Sequence, residues 1–320
     1  MVHRVRFIAA ALLLLAASSA SAQTFPNRTI HIIVAYAPGG TGDIVARLIA
    51  PPLGEALGQN VVVENRAGAT GALGTQAVVS APADGHTLLL GQTGEIAINQ
   101  HWLKGLSYDA GKDLAPVALA SVVPLALVVA AKAPYSTMAE LGKALAEKTP
   151  LSFASAGTGT PGHFAGEFLK LRTKANLTHV PYKGAGPALN DLLGGQIDGV
   201  CDNAASIAPS IQGGLANGVA VAMPSRLRGL PNVPTTIEAG LPEFQLQGWN
   251  GLFAPKGTAQ PVIDKLNAAL RKGVASDAYR SRLDELGSLP PTDEEMSPGY
   301  LQQFVPREVE KFRKLLAENK

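Results

Sequence analysis

Tyr36-Ala37-Pro38-Gly39-Gly40-Thr41-Gly42-Asp43 decides the reading of this chain, because two different periodicities meet there. Before it, Ile30 to Ala37 is apolar and β-branched enough for a buried strand. After it, Ile44, Val45, Leu48 and Ile49 recur at helical spacing. A strand therefore passes into a helix through glycines. Glycine lets backbone N–H groups approach a ligand with no Cβ in the way, and the open N–H groups of a helix start carry partial positive charge. Such a turn suits a carboxylate or a phosphate.

The device recurs further on. Leu151 to Ser155 runs into Ala156-Gly157-Thr158-Gly159-Thr160-Pro161-Gly162-His163 and then a helix, with Pro161 where a first helical turn tolerates proline. Ligands of open α/β sheets bind outside the carboxyl ends of strands, so two such turns could face one cleft from opposite lobes. Either cluster alone is as readily explained by tight-turn geometry. Their occurrence twice favours the cleft.

Short apolar runs alternate with helical patterns along the rest of the chain. Val61 to Glu64, Thr87 to Gly91, Thr178 to Pro181, Gly199 to Asp202 and Val219 to Met223 read as strands. The alternation predicts an α/β protein with mostly parallel sheets flanked by helices. Val122 to Ala131 and Gln245 to Ala254 read as crossings between two lobes. Lobe 1 is then discontinuous, residues 24–122 plus 250–320, and residues 123–249 form lobe 2. In the C-terminal tail, Val262, Ile263, Leu266 and Leu270, then Tyr279, Leu283 and Leu286, then Tyr300 through Leu316 mark packing faces of three helices.

Arg4 and Arg6 precede an apolar stretch from Phe7 to Ala17, and Ala20-Ser21-Ala22 offers a cleavage pattern, so residues 1–22 read as a secretory signal peptide. The expected location is the periplasm. The stretch is short for a membrane span, and the single cysteine, Cys201, excludes an internal disulfide and a lipid acceptor at the cleavage site. Losing Arg4 and Arg6 leaves 25 Lys and Arg against 25 Asp and Glu. That balance, without a basic run, argues against nucleic-acid binding.

Several separated motifs carry a resemblance over the whole exported sequence. They are Tyr36 to Asp43 with Ala46-Arg47, Val63-Glu64-Asn65-Arg66 with Gly68-Ala69, and Ala81-Pro82-Ala83-Asp84-Gly85-His86-Thr87-Leu88-Leu89. Val180-Pro181-Tyr182-Lys183-Gly184, Leu230-Pro231-Asn232-Val233-Pro234-Thr235 with Glu238-Ala239-Gly240, and Trp249-Asn250-Gly251-Leu252 with Ala254-Pro255 complete the set. In these the chain closely resembles the Bug-type substrate-binding receptors of tripartite tricarboxylate transporters. The resemblance implies a two-lobed periplasmic binding protein fold, type II-like, with the ligand cleft between lobes. It implies a receptor, expected to be monomeric, that closes on a small carboxylate and presents it to membrane permease subunits, without catalysis, cofactor or metal. Carried over to this sequence, the ligand-binding positions are Ala37, Pro38, Gly39, Gly40, Thr41 and Asp43 in the first turn, and Ser155, Thr158, Gly159, Thr160 and His163 in the second. Thr93 and Gly94 of the Gln92-Thr93-Gly94 turn, and Asp202 of Asp202-Asn203, complete them.

Read singly, several of these residues keep an alternative. Asp43 repels a carboxylate unless the ligand carries an amine, and suits helix capping. His163 serves either a ligand oxygen or a neighbouring carbonyl. Arg66 and Lys183 suit salt bridges between segments better than primary ligation, and Tyr182 suits packing at least as well as walling the cleft. Trp249 suits the hinge. Glu95 and Cys201 are unusual near the cleft and either tune ligand choice or face away.

Two rival functions are weighed. Gly68-Ala69-Thr70-Gly71-Ala72-Leu73-Gly74 imitates a dinucleotide fingerprint of a nucleotide-dependent oxidoreductase, but polar Glu64-Asn65-Arg66 stands where the strand should feed the glycines. An exported hydrolase would draw on Ser152 or Ser155, His163 or His179, and Asp198 or Asp202. No G-x-S-x-G or H-E-x-x-H motif supports it.

Overall fold

The structure is a computed structural model that describes residues 25–147, 150–244 and 246–318. Residues 1–22, read as a signal, lie outside it. From the start of the described chain, β1 (Ile30–Val34) leads through the first glycine turn into α1 (Thr41–Leu57), then β2 (Val61–Asn65), α2 (Ala72–Val79) and β3 (Thr87–Gln92). A single π-helical turn, Gly94–Ile98, passes into α3 (Asn99–Trp102) and α4 (Ala110–Asp113), and the long strand β4 (Leu114–Ala130) follows. Next come α5 (Met138–Ala146), β5 (Leu151–Ser155), α6 (Pro161–Thr173), β6 (Leu177–Pro181), α7 (Ala185–Leu193), β7 (Gly199–Asn203), α8 (Ala204–Gln212) and β8 (Ala216–Val221). β9 (Gln247–Pro255) returns to the first half, and α9 (Gln260–Val274), α10 (Asp277–Glu285) and α11 (Pro298–Glu318) cover it.

The strands form one sheet in the order β2-β1-β3-β9-β4-β7-β5-β6, with β8 also on β4. Pairing is parallel within β2-β1-β3 and within β6-β5-β7, and antiparallel wherever β9, β4 or β8 takes part. β4 belongs to both halves: Leu114 to Pro124 pairs with β9, and Leu125 to Ala130 pairs with β7 and β8. The change of partner falls at Pro124, which has no N–H to give a ladder.

β1 shows why the sheet is buried on both faces. Ile30, Ile32 and Val34 pack with Val45, Ile49 and Leu53 of α1 and with Leu266 and Leu270 of α9, while Ile33 faces the cluster that holds Leu89, Phe253, Leu301 and Phe312. All three β1 residues on the first face are fully buried, each contributing about 1.5–3 kcal/mol over exposure. The second half repeats the plan. Val128, Ala154 and Val200 pack with Leu189 of α7 and Ile207 of α8, and Val129, Leu151 and Phe153 pack with Leu141 of α5 and Leu169 of α6.

The largest departure from the sequence expectation is in β4, which begins at Leu114 rather than near Val122. Pro116 breaks the strand pattern in the sequence, and the structure admits it where the register with β9 shifts between Pro116 and Ala118. β1 stops at Val34 instead of continuing to Ala37, and β8 runs earlier than expected, over Ala216–Val221.

Candidate functional site

A small cavity of about 30 Å³ lies between the two halves at the carboxyl ends of the strands. Its walls come from the ends of β1, β3, β5 and β7, from Trp249 of β9, and from four helix starts, of which the one at Ala185 follows β6. α1 begins at Thr41, α6 at Pro161, α7 at Ala185 and α8 immediately after Asn203, and each of these four residues lines the cavity. The first N–H groups of a helix have no partner inside it, and each start presents roughly half a positive charge. Four such starts on one small space suit an anion.

Gly40 is the N-cap of α1 and no side chain caps that helix. Asp43 turns the other way. Its carboxylate accepts from Gly39 N at 3.0 Å and pairs with Arg47 at 2.9 Å, so it ties the turn down while leaving the helix N–H groups open. Thr41 Oγ1 and Gln92 Nε2 are buried at the cavity with no hydrogen-bond partner among the described residues, as is Asn203 Oδ1. Buried polar atoms are nearly always paired, so three in one cavity point to a polar occupant.

The turn after β5 is built differently. Thr160 caps α6 by accepting from His163 N, and its hydroxyl donates to Gly157 O at 2.7 Å. Ser155 Oγ donates to Gly157 O and accepts from Gly157 N, and Gly159 N donates to His163 Nδ1 at 3.2 Å. The turn satisfies itself. Gly162 is held so close to β7 that an added Cβ would stand 2.1 Å from Cys201 O.

Of the residues expected at the site, Gly40, Thr41, Asp43, Thr93, Gly94, Thr160 and Asp202 line the cavity. Ala37, Pro38 and Gly39, expected as ligands, do not line it: Ala37 N donates to Lys183 O at 2.9 Å and Pro38 O lies against Gly186. Ser155, Gly159 and His163 sit behind the wall in the bonds just described, and Thr158 is half-buried outside the lining. Tyr36, Gly42, Ala156, Pro161, Gly162, Ala185 and Trp249 join the lining without having been singled out as ligands, as do Gln92 and Asn203, which belong to the two stretches expected to contribute. Tyr36 and Gly42 belong to the first motif itself. Ala185 carries no sequence signal, because its helix starts after Gly184 without a capping side chain.

The halves also touch beyond the cavity. The ring of Trp102, on α3, meets His163 at 5.3 Å and Phe164 at 5.4 Å between centroids. Trp249 reaches across β9, where its N–H donates to Thr93 Oγ1 and its indole N–H to Glu308. Arg66 pairs with Glu64, and Lys183 offers its carbonyl; neither lines the cavity. Tyr182 donates to Asp191.

Burial governs the titration of the groups around the cavity. Asp202 is 5% exposed and accepts from Ala156 N and Asn203 N; burial raises its carboxyl to about 6 against those two bonds. Glu95, fully buried behind the Gln92 turn, accepts from Gln92 N, and burial raises it to about 8. The Tyr36 hydroxyl, which donates to Thr70 O, is pushed far up by burial and by Glu95. Burial lowers His163, and lowers His179 to about 4 with help from His163, whose ring lies 4.3 Å away.

Ser155 Oγ and His179 Nε2 do lie 2.8 Å apart, the one pairing a hydrolase would want. Ser155 is fully buried, and Asp198 is bonded to Ser152 and Tyr135 instead of His179. Among the described residues no carboxylate is bonded to His179 to complete a triad. Gly68 to Gly71 forms the turn between β2 and α2, with a 3₁₀ segment at Ala69–Gly71 separating strand from helix, and Ala72 to Gly74 are the first residues of α2. Among the described residues there is no group of His, Cys, Asp and Glu fit to hold a metal, and no helix long and apolar enough to cross a membrane.

Two α/β halves joined by crossing strands, with a cavity of helix starts between them, define the class: an α/β periplasmic binding protein fold. The chain belongs to the TctC family, the tripartite tricarboxylate transporter family receptors, whose pattern it matches over residues 45–320. This is a transport receptor family and not an enzyme family. The chain is similar to MatC from Rhodopseudomonas palustris, solved with bound malate, at 37% identity and a TM-score of 0.86 over 91% of this chain and 99% of that one. It is similar to the R. palustris protein Rpa4515, solved with adipate, at 32% identity and a TM-score of 0.88, covering 92% and 98%. The periplasmic binding protein BugD is 34% identical with a TM-score of 0.88 over the same shares.

Proposed function

We propose that this chain is a periplasmic receptor that binds a small dicarboxylate between its halves and hands it to the membrane subunits of a tripartite tricarboxylate-type transporter. The observation that carries the reading is the convergence of four helix starts on a cavity that holds unpaired polar atoms of Thr41, Gln92 and Asn203. Malate in MatC and adipate in Rpa4515 support a dicarboxylate of roughly that length. Export through residues 1–22 accords with the periplasmic relatives.

A cavity of about 30 Å³ holds water-sized occupants, so a dicarboxylate enters when the halves part and the cleft reshapes around it. We place the lobes at residues 24–122 plus 250–320 and at 123–249, and the hinge where β4 changes partner at Pro124 beside Gln247. A ligand shifts the halves only by binding one arrangement better than another. Donors on α1 and on α7 and α8, whose starts carry no side-chain cap, supply that difference, since one anion meets both sets only when the halves approach. Titration calorimetry with malate and adipate, beside their dimethyl esters, tests the reading. The acids are expected to bind at one site and the esters not at all; equal binding of acid and ester, or none by any small dicarboxylate, would overturn it.

A further inference from the structure

We propose that the cleft takes up one proton with each dicarboxylate dianion it binds, and that Asp202 holds that proton. The inference rests on the dicarboxylate reading and adds its charge balance. The charged side chains lining the cavity are Asp43 and Asp202, with no cation among them. Asp43 is matched by Arg47 at 2.9 Å. Asp202, nearly buried, has no ion pair among the described residues; it accepts from the N–H groups of Ala156 and Asn203, with the Ser206 hydroxyl beside it, and none of these partners carries a charge. Four helix starts supply about half a positive charge each, roughly two in all. The dianion and Asp202 together bring three negative charges, and one is left over.

An unbalanced charge in a closed, poorly hydrated space is expensive, and two carboxylates that share a site raise the pKa of one of them. Once protonated, Asp202 changes from a repelling acceptor into an O–H donor toward the ligand carboxylate. The surrounding groups offer no other source of balance near neutrality. Glu95 and the Tyr36 hydroxyl are kept protonated by burial, the Cys201 thiol is pushed far up, and His163 and His179 are kept uncharged. Burial already raises Asp202 to about 6, so at pH 7 it is mostly ionised in the free cleft and within reach of protonation by a neighbouring anion. Proton uptake is then confined to the window between about 6 and the higher value in the complex. Within it, affinity weakens by up to about tenfold per pH unit as pH rises.

The test is calorimetry of malate and adipate binding to the purified chain near pH 7, in MOPS and in Tris, whose ionisation heats differ. The difference in heat counts protons. The expected result is uptake of about half to one proton per dicarboxylate, and none in Asp202→Asn, which should bind more tightly than the unaltered chain near pH 8 because its like charge is gone. Equal heats in the two buffers, or uptake that persists in Asp202→Asn, would overturn the proposal. Should that variant fail to fold, the unaltered chain still decides, through the buffer comparison and through weakening of its affinity between pH 7 and 8. Binding of malate or adipate without uptake sinks this inference alone; failure of any small dicarboxylate to bind sinks the dicarboxylate reading with it.

Discussion

The turn after β1 and the turn after β5 each carry a strand into a helix through glycine and threonine, yet only the first leaves its donors open. In the first, Gly40 caps nothing, Asp43 bonds outward to Gly39 and Arg47, and Thr41 Oγ1 has no partner. In the second, Thr160 caps α6, Pro161 removes one N–H outright, and Ser155, Gly157, Gly159 and His163 bond to one another. On the proposed reading the first turn receives the ligand and the second is the wall against which it closes. Glycine-rich composition is common to both; the difference lies in which side chains reach back to the turn's own N–H groups.

The sharpest way to break this comparison is at the glycines. Gly162→Ala should lower stability by about 3 kcal/mol in urea titration, since its Cβ would meet the Cys201 carbonyl at 2.1 Å and backbone cannot move away cheaply. Gly40→Ala should change stability by less than about 0.5 kcal/mol, because the nearest atoms to its Cβ lie at 3.7 and 3.8 Å. Similar losses in the two variants would mean that the second turn is no more rigid than the first.

The halves should also differ in their response to pH. Glu95, behind the first half's ligand turn, is raised from 4.5 to about 8, so its burial favours the fold at low pH and this stability is lost as pH rises from 4.5 through 8. Glu95→Gln is therefore expected to be more stable than the unaltered chain at pH 8, by about 4 kcal/mol, and nearly equal to it at pH 4.5. His179, behind the second turn, is lowered from 6.5 to about 4, so its contribution is present above 6.5 and is lost as pH falls toward 4. Thermal melts across this range should show one limb for each half, and only the alkaline limb should change in Glu95→Gln.

The smallest contrast is between the two threonines. Thr41→Val should weaken malate or adipate binding about tenfold with little change in stability, since the lost hydroxyl has no partner in the protein. Thr160→Val should do the reverse, lowering stability by about 1 kcal/mol through loss of the α6 cap while changing affinity by less than threefold. Calorimetry and urea titration on both variants would expose an exchange of roles.

Much of this fold could be read from sequence because apolar runs and glycine turns report backbone path. β5 falls on the residues expected, and β2, β3, β6 and β7 fall within a residue of them at either end. The first half of β4 could not be read, because Pro116 and the small residues around it mimic a loop and only pairing with β9 makes them a strand. At the site, the turns were visible and the direction of their side chains was not. Ser155 and His163 are drawn into the second turn by their own hydrogen bonds, which depend on the β5, β6 and α6 arrangement. Ala185 and Asn203 line the cavity because their helices start there, and neither start carries a side-chain cap to announce it. The unusual Glu95 faces the interior beside Tyr36 and Gln92, holding the ligand turn from behind.

The central claim, one anion held by donors from both halves, is tested most directly by a crystal structure of the chain with malate or adipate bound. The account predicts a ligand carboxylate within hydrogen-bonding distance of Thr41 Oγ1 or Gln92 Nε2 on one side and of the N–H groups at the start of α7 or α8 on the other. A dicarboxylate bound to one half alone, or anywhere outside this cleft, would contradict it.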